Sequence, residues 1–317
     1  MKKGGILLAA TGWDSALWSR MFEEAAPGRQ VFVDPDGRTD DSIEYAIVWK
    51  QPPGSLAGLK NLKVIFSLGA GVDHVFRDSQ VPDVPIVRVV SKDLTNRMSE
   101  YVVWQVLDHH RMGPKYRQQQ RGKVWLEDRT QPAAKDITIG MLGLGVLGSD
   151  AALKLKALGF RVTGWSRSAH DLEGIRTFHG ADQIPEFLAG VDMLVCLLPL
   201  TPATANMLAM PLFEKLTKRG PLGAPVLINA GRGGLQNEAD ILAALDKGLL
   251  SAVSLDVFQQ EPLPVDSPFW SHPKVTLTPH AAAASDPFAL VKPIVDQMDA
   301  NDRGEPLKNL VDRKHQY

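Results

Sequence analysis

The sequence lacks the features of an extracellular or membrane protein. Cys196 is the single cysteine among 317 residues, so no internal disulfide can form. No apolar run approaches the roughly 20 residues of a membrane-spanning helix. The apolar stretch at residues 6–10 is too short for a signal peptide. We therefore expect no membrane association and a reducing, cytoplasmic location, with Cys196 as a small core residue.

An excess of charge of one sign is also missing. The chain carries 35 Lys and Arg residues against 36 Asp and Glu residues, a formal net charge of −1. This balance argues against a nucleic-acid or anionic-membrane surface, so an acidic substrate would need a local site. With 44% apolar and 22% charged residues, the composition is that of a globular protein. We expect no metal site.

What is present is an alternation of short apolar runs with amphipathic segments, without repeats or low-complexity tracts. Such alternation predicts an α/β fold with parallel sheets and right-handed crossovers. The predicted strands are residues 6–10, 45–48, 64–67, 86–89, 137–142, 161–165, 193–198, 226–230, 252–256 and 275–277. The predicted long helices are residues 96–111, with Asn96 as N-cap, 146–158 and 287–302.

A glycine-rich turn joins the strand at 137–142 to the helix at 146–158. It reads Gly143, Leu144, Gly145, Val146, Leu147, Gly148, the spacing G-x-G-x-x-G. The first glycine permits a tight turn, the second lets a pyrophosphate approach the backbone, and the third lets helix and strand pack closely. Because a helix N-terminus offers unpaired N–H groups to a phosphate, this turn predicts a dinucleotide site.

The end of the next strand favours NADP over NAD. A site for NAD usually places Asp or Glu there, to bind the ribose 2′-hydroxyl. Here the strand runs into Ser166, Arg167 and Ser168. An arginine can pair with a 2′-phosphate and the serines can donate to it, so NADPH is predicted as the preferred cofactor and NAD as the second choice. The alternative is a solvated surface arginine.

Three residues with side chains suited to carbonyl reduction follow later strands: Arg232, Glu261 and His280. Ligands of open α/β sheets bind beyond the carboxyl ends of the strands, so the three can converge. Hydride transfer to a ketone needs a proton donor, which a histidine oriented by a carboxylate supplies. An arginine can hold a substrate carboxylate. Each residue taken alone also fits an ordinary surface role.

These motifs together resemble the D-isomer-specific 2-hydroxyacid dehydrogenases over nearly the whole chain. The matching segments are residues 143–148, 227–233, 255–258 with 261–264, and 278–280. The resemblance implies two Rossmann-like domains with an active-site cleft between them. Residues 1–97 plus 285–317 would form the substrate domain, and 98–284 the dinucleotide-binding domain. It assigns substrate binding to Arg232, acid/base catalysis to His280 and the pairing role to Glu261.

Further contacts are implied by the same resemblance. Thr204, Ala230 and Asp256 would contact the cofactor, although Asp256 could instead cap a strand end. Residues 48–53, 68–73, 98–101 and 165–167 are most similar to the bacterial glyoxylate/hydroxypyruvate reductase A group, which implies NADPH and a homodimer. Backbone amides of Ala70 and Gly71 would bind the substrate carboxylate; a Gly-flanked turn after a strand exposes such groups.

Two tryptophans and one glycine leave alternatives open. Trp49 either walls the substrate pocket or is an ordinary aromatic at a strand end. Trp125 either reaches a neighbouring subunit or, as we expect, packs in the core. Many relatives follow the arginine with Gly-x-x-Val-Asp, whereas Gly233 and Gly234 follow Arg232 here, and the extra glycine predicts a looser loop.

The sequence thus predicts NADPH-dependent reduction of small 2-keto acids, glyoxylate to glycolate and hydroxypyruvate to D-glycerate. One alternative is another dehydrogenase of the same family, of the phosphoglycerate or D-lactate type. A second is a non-catalytic, cofactor-sensing protein on the same fold. The presence of Arg232, Glu261 and His280 together speaks against that second alternative.

Overall fold

The structure is a computed structural model that describes residues 3–34, 40–216, 220–284 and 286–317. The strands are β1 Gly5–Ala10, β2 Val31–Val33, β3 Ile43–Trp49, β4 Val64–Ser67, β5 Ile86–Arg88, β6 Thr138–Leu142, β7 Arg161–Ser166, β8 Arg176–His179, β9 Met193–Cys196, β10 Val226–Asn229, β11 Ala252–Leu255 and β12 Val275–Leu277. The α-helices are α1 Ser15–Ala25, α2 Asp73–Phe76, α3 Lys92–His110, α4 Gly113–Arg121, α5 Val146–Ala157, α6 Ile184–Leu188, α7 Met210–Phe213, α8 Glu238–Asp246 and α9 Pro287–Asp302.

The chain divides into two compact units. The first comprises Met1–Leu94 with Ser285–Tyr317, and the second Thr95–Ala284. Strands pair in parallel in both sheets, in the order β2-β1-β3-β4-β5 in the first unit and β12-β11-β10-β9-β6-β7-β8 in the second. Each order reverses beside the unit's first strand, which is the doubly wound arrangement. The predicted α/β class with two Rossmann-like parallel sheets is confirmed.

Strand β9, in the middle of the second sheet, is apolar throughout because both faces of that sheet are covered. Successive side chains of a strand point to opposite faces. Accordingly Leu194 and Cys196 belong to one buried cluster, whereas Met193 and Val195 belong to another. Cys196 is the small core residue that the sequence predicts, and burial raises the pKa of its thiol to about 12.

Strong local signals fix the boundaries of some elements. The strand at 64–67, the strand at 275–277 and the helix at 287–302 have the predicted limits. The last helix is well marked because Pro287 suits the first helical position and the Asp286 carboxylate accepts the Phe288 N–H at 3.0 Å. Strands β2 and β8 were not predicted: β2 is a half-buried run of three residues, and β8 has a single apolar residue, Phe178, among its four.

The predicted start of α3 is wrong. The helix begins at Lys92, about one turn before Asn96. Ser91 caps it instead, since its Oγ accepts the Leu94 N–H at 3.0 Å. Asn96 lies inside the helix, where its Oδ1 accepts a hydrogen bond from Lys154 Nζ at 3.2 Å. Serine and asparagine can both cap a helix, so the sequence offered two candidates, Ser91 and Asn96. The helix begins after Ser91, the earlier one.

The polar stretch after α3 contains a helix and a run of exposed apolar residues. Helix α4 forms there with no buried residue. The expected core packing of Trp125 is wrong, because its relative exposure is 102%. Val124, Leu126 and, on α3, Trp104 are also exposed. Across the four described ranges, no helix combines the length and apolar character required to cross a membrane.

Candidate active site

One row of paired residues runs across the second sheet close to the carboxyl ends of its strands. The residues in register are Leu142, Trp165, Cys196, Asn229, Leu255 and Leu277. Because neighbouring strands run parallel, the segments that follow this row emerge at the same edge of the sheet. Those segments carry the glycine turn, Ser166 to Ser168, Ala230 to Arg232, Asp256, and Thr278 to His280.

The glycine turn between β6 and α5 has room for a ligand. Gly143 has φ +105°, a conformation that L residues rarely adopt. A Cβ on Gly148 would lie 1.8 Å from the Gly143 carbonyl oxygen, whereas a Cβ on Gly145 would meet nothing within 4 Å. No side chain caps α5, whose first helical residue is Val146. The open backbone at a helix N-terminus fits a pyrophosphate group.

The residues predicted to select NADP lie at the end of β7, next to β6. Arg167 and Ser168 are exposed, and Ser166 is buried. Ser166 Oγ donates to the Ser168 carbonyl oxygen at 2.6 Å, so its proton is already used within the turn. Arg167 and the Ser168 hydroxyl are therefore the better candidates for contact with a 2′-phosphate.

Two further residues with expected cofactor contacts serve the local fold. The Thr204 hydroxyl donates to the Pro199 carbonyl at 2.7 Å and accepts the Thr201 N–H at 2.9 Å, which ties this loop together. Ala230 is buried, and its N–H donates to the Cys196 carbonyl at 3.2 Å. Ala230 can therefore offer its carbonyl oxygen, but not its N–H, to a cofactor.

His280 and Glu261 form a hydrogen-bonded pair. Nδ1 of His280 lies 2.8 Å from Oε2 of Glu261, while Oε1 of Glu261 accepts the Phe258 N–H at 3.2 Å. The backbone thus fixes one carboxylate oxygen and the imidazole uses the other. The side chains are 30% and 24% exposed respectively, so the ring is held in place yet accessible to a small molecule.

The loop that carries His280 is held by hydrogen bonds to the Asp256 carboxylate. Its Oδ1 accepts hydrogen bonds from Thr278 Oγ1 at 2.6 Å and the Ala281 N–H at 2.8 Å, and its Oδ2 accepts the Ala282 N–H at 3.0 Å. This buried carboxylate therefore ties the end of β11 to the segment that follows β12. The anchoring matters because His280 itself has φ +54°.

Tyr101 of α3 extends this network. Its hydroxyl lies 2.8 Å from Thr278 Oγ1. The threonine has one hydroxyl proton, which it donates to Asp256, so Tyr101 must be the donor to Thr278. Burial raises the pKa of Tyr101, which keeps it a donor at neutral pH. A chain of three side chains thus supports the His280 loop.

Arg232 lies on a tight loop after β10. Its Nη1 donates to the Gly231 carbonyl at 2.8 Å, and the 3-10 turn Gly233–Leu235 follows. The expectation that the extra glycine loosens this loop is wrong. A Cβ on Gly233 would lie 1.9 Å from the Phe258 carbonyl oxygen, and a Cβ on Gly234 would lie 2.8 Å from the Leu200 side chain. The glycines permit close packing, and Asn237 caps α8, since its Oδ1 accepts the Asp240 N–H at 3.1 Å.

The first unit carries the turn predicted to bind a substrate carboxylate. Ala70 and Gly71 lie between β4 and α2, partly exposed. Trp49, at the end of β3, covers this turn so closely that a Cβ on Gly69 would lie 2.1 Å from its ring. Its ring also meets that of His74 edge-on at 4.9 Å between centroids. Trp49 is therefore both a strand-end aromatic and a wall of this turn.

Comparison with known proteins identifies the family. The family described as D-isomer specific 2-hydroxyacid dehydrogenase, NAD binding domain, matches residues 103–282, more than half of the chain. The chain belongs to the D-isomer specific 2-hydroxyacid dehydrogenases. The resemblance read from the ordered sequence motifs is confirmed, and with it the assignment to the NAD(P)-dependent enzymes of this family.

Individual relatives agree with this placement. The chain is 40% identical over 310 residues, 96% of its length and 95% of the relative's, to glyoxylate/hydroxypyruvate reductase A of Yersinia enterocolitica. It resembles the NADPH-dependent glyoxylate/hydroxypyruvate reductase of Sinorhizobium meliloti, solved with NADP and sulfate, with a TM-score of 0.93, 46% identity and coverage of 99% and 100% of the two chains.

A third relative was also solved with NADP. This probable 2-hydroxyacid dehydrogenase of Rhizobium etli, in complex with NADP, HEPES and L(+)-tartaric acid, gives a TM-score of 0.93 at 44% identity, with 99% and 100% of the chains covered. Structural neighbours of this dehydrogenase thus bind the phosphorylated dinucleotide.

Sequence reasoning missed several residues that contact the predicted site residues of each unit. Tyr101 was noted only as part of a motif, and Thr278 only as part of Thr-Pro-His. In the first unit Ser67 was missed, although its Oγ accepts the Gly69 N–H at 3.3 Å and lies 3.0 Å from His74 Nε2. A buried strand that ends in serine just before a glycine turn is the available signal.

Proposed function

We propose that this dehydrogenase uses NADPH to reduce small 2-keto acids, glyoxylate to glycolate and hydroxypyruvate to D-glycerate. The observation that carries the proposal is the 2.8 Å contact between His280 and Glu261, at the same edge of the sheet as the glycine turn. The glyoxylate/hydroxypyruvate reductases of Yersinia enterocolitica and Sinorhizobium meliloti, at 40% and 46% identity, support this substrate class.

His280 would supply the proton. Because Nδ1 contacts the Glu261 carboxylate, Nε2 is the nitrogen left to protonate the carbonyl oxygen of the keto acid. Glu261 would hold the ring in the tautomer with hydrogen on Nδ1 and stabilise its protonated form. A neutral imidazole would accept the proton back in the oxidative direction, so one residue serves both directions.

Arg232 would bind the substrate. Its guanidinium can hold a planar carboxylate through two parallel hydrogen bonds. The positive charge of Arg232 would also stabilise the negative charge that develops on the carbonyl oxygen of the substrate. The packed glycines 233 and 234 keep the loop of Arg232 in place. In the first unit, Ala70 and Gly71 would contribute backbone amides and Trp49 an apolar wall.

The cofactor would bind along the edge of the second sheet. NADPH supplies the hydride when bound. The open backbone at Gly145 and Val146 fits its pyrophosphate, and Arg167 with Ser168 fits its 2′-phosphate. Ser166, Thr204, Ala230 and Asp256 would shape the surrounding turns. The second unit would thus be the dinucleotide-binding domain and the first the substrate domain; a cleft between them stays a prediction.

We also propose a homodimer that works in the cytoplasm. The exposed side chains of Trp104, Val124, Trp125 and Leu126 support self-association, because large apolar side chains are seldom exposed in a group without a partner. Light scattering after gel filtration measures the oligomeric state, and Trp125→Ala with Leu126→Ser should shift a dimer towards the monomer. Fractionation of cells measures the location.

A turnover assay tests the catalytic proposal. Purified protein should oxidise NADPH when glyoxylate or hydroxypyruvate is added, and pyruvate and 3-phosphohydroxypyruvate test the other members of the family. His280→Ala should slow the reaction by about 10²–10⁴, the usual range for a lost general acid, with NADPH affinity nearly unchanged. Cofactor binding without turnover of any keto acid would instead favour a cofactor-sensing protein.

A further inference from the structure

The first unit contains a cavity whose purpose the dehydrogenase reaction does not explain. It has a volume of about 520 Å³ and lies between the end of β5, helix α9 and the segment after α9. Its apolar lining comes from Phe66, Leu290, Pro293 and Ile294. This volume lies within the range of small-molecule sites, and the walls are mainly apolar, as such sites usually are.

Arg88 is the residue that makes the cavity unusual. It lies at the end of β5, lines the cavity and is only partly exposed. Among the residues that the structure describes, no carboxylate lies within ion-pair distance of its guanidinium and no side-chain hydrogen bond satisfies it. Burial accordingly lowers the pKa of Arg88, with no neighbouring acid to oppose the effect.

The two acids at the same cavity already have partners. Asp296 pairs with Lys292 at 2.9 Å, and Glu305 pairs with Arg303 at 2.6 Å. Neither is therefore available to neutralise Arg88 without giving up its own cation. The backbone of Arg88 is also fixed, since its N–H donates to the Asn309 carbonyl at 3.1 Å.

A partly buried, unpaired cation is unfavourable unless an anion reaches it, because desolvation of the charge is not compensated. A guanidinium matches a carboxylate in geometry, and the neighbouring apolar wall suits a hydrocarbon or aromatic group. We propose that this cavity is a second ligand site, which binds a small organic carboxylate with its charged end on Arg88 and its apolar end against α9.

Benzoate is a suitable probe, and benzamide is its neutral counterpart. Because Arg232 is itself proposed to bind carboxylates, the titrations are made in an Arg232→Ala background, by calorimetry or by saturation-transfer NMR. Benzoate should bind this protein saturably and benzamide at least tenfold more weakly. Adding Arg88→Met, which keeps an apolar stem without the charge, should weaken benzoate binding at least tenfold.

Arg303→Met is the matched control, since Arg303 lines the same cavity but is exposed and paired with Glu305. It should change the affinity for benzoate less than threefold. Arg88→Met should fold with an unchanged or higher Tm, because it removes an uncompensated charge. In otherwise unaltered protein it should leave kcat and KM for glyoxylate within twofold.

Three results would overturn the proposal. One is the absence of saturable benzoate binding, and another is equal loss of binding in Arg88→Met and Arg303→Met. The third is a large rise in the KM for glyoxylate in Arg88→Met, which would place Arg88 in the substrate site. Failure of the protein to turn over keto acids would leave this binding experiment unaffected.

Discussion

His280 and Glu261 are joined by a 2.8 Å contact from Nδ1 to Oε2, and the other carboxylate oxygen accepts the Phe258 N–H. Both oxygens of Glu261 therefore act as acceptors for N–H groups that point at them. This arrangement demands a carboxylate, because a glutamine presents only one acceptor oxygen.

Glu261→Gln should therefore be far from conservative. Either its amide nitrogen faces Phe258 N–H, or it faces Nδ1 of His280 and forces the ring into the wrong tautomer. We expect kcat for glyoxylate to fall about 10²- to 10³-fold, in the lower part of the range for general acid catalysis, with little change in NADPH affinity. Glu238→Gln, at the start of α8, is the control. A Glu261→Gln enzyme with parental kcat would contradict the pairing role.

Tyr101→Phe should show that Asp256 and Thr278 position His280. Loss of the Tyr101 hydroxyl leaves Thr278 Oγ1 with one partner fewer, so we expect a two- to tenfold fall in kcat and a loss of roughly 1–2 kcal/mol of unfolding free energy. Tyr45→Phe is a matched control, because Tyr45 is a buried tyrosine of the first unit whose hydroxyl donates to Asp302 at 2.6 Å. If both variants lower kcat equally, the effect is one of stability.

Arg167→Ala should weaken NADPH binding much more than NADH binding. A charge-assisted pair with the 2′-phosphate contributes roughly 1.5–3 kcal/mol, which is about ten- to a hundredfold in affinity. Arg161→Ala, at the other end of β7, serves as the control, since Arg161 donates to the Asp136 carbonyl at 2.7 Å. Fluorescence titration with both nucleotides gives the ratio, and an equal loss for the two would remove Arg167 from the site.

Stability should fall in mild acid because of His109. This residue is buried with Nε2 2.8 Å from Ser254 Oγ of β11, and burial lowers its pKa from 6.5 to about 4. Asp108 raises this pKa slightly and Arg117 lowers it slightly. Between these values the unfolded chain binds a proton that the folded protein does not. The contribution of neutral His109 is therefore complete above pH 6.5 and is lost as the pH falls towards 4.

The loss amounts to on the order of 3 kcal/mol at 1.36 kcal/mol per pKa unit. Urea unfolding between pH 7 and pH 4 measures it. His109→Gln should have a shallower pH dependence than the parent, whereas exposed His179→Gln should follow the parent. Parallel curves for the parent and His109→Gln would show that His109 does not titrate in this way.

The candidate site was largely readable from the sequence because its residues follow apolar strands. The row from Leu142 to Leu277 is set by strand order and register, and most of its strands are visible as short, mainly apolar runs. Gly143, Arg232 and His280 come directly after such segments or within a few residues of them. Sequence order alone therefore places them near one edge of a parallel sheet.

Tertiary structure decided the exposure of a residue and the packing space around it, because both depend on neighbours that are distant in sequence. Gly234 looked like a source of looseness, yet a Cβ there would lie 2.8 Å from the Leu200 side chain. Trp125 looked like a core residue by type, but its side chain is fully exposed within the described chain. Local periodicity cannot report such neighbours, because they come from distant parts of the sequence.

The sequence by itself determined the α/β class, the glycine turn, the catalytic candidates and the buried state of Cys196, since each follows from short-range pattern and residue chemistry. Only the tertiary structure decided the pairing of Tyr101 with Thr278 and the lack of an acidic partner for Arg88 among the described residues. The reason is physical: a hydrogen bond or an ion pair needs two groups within a few ångströms, and only the folded chain fixes that distance.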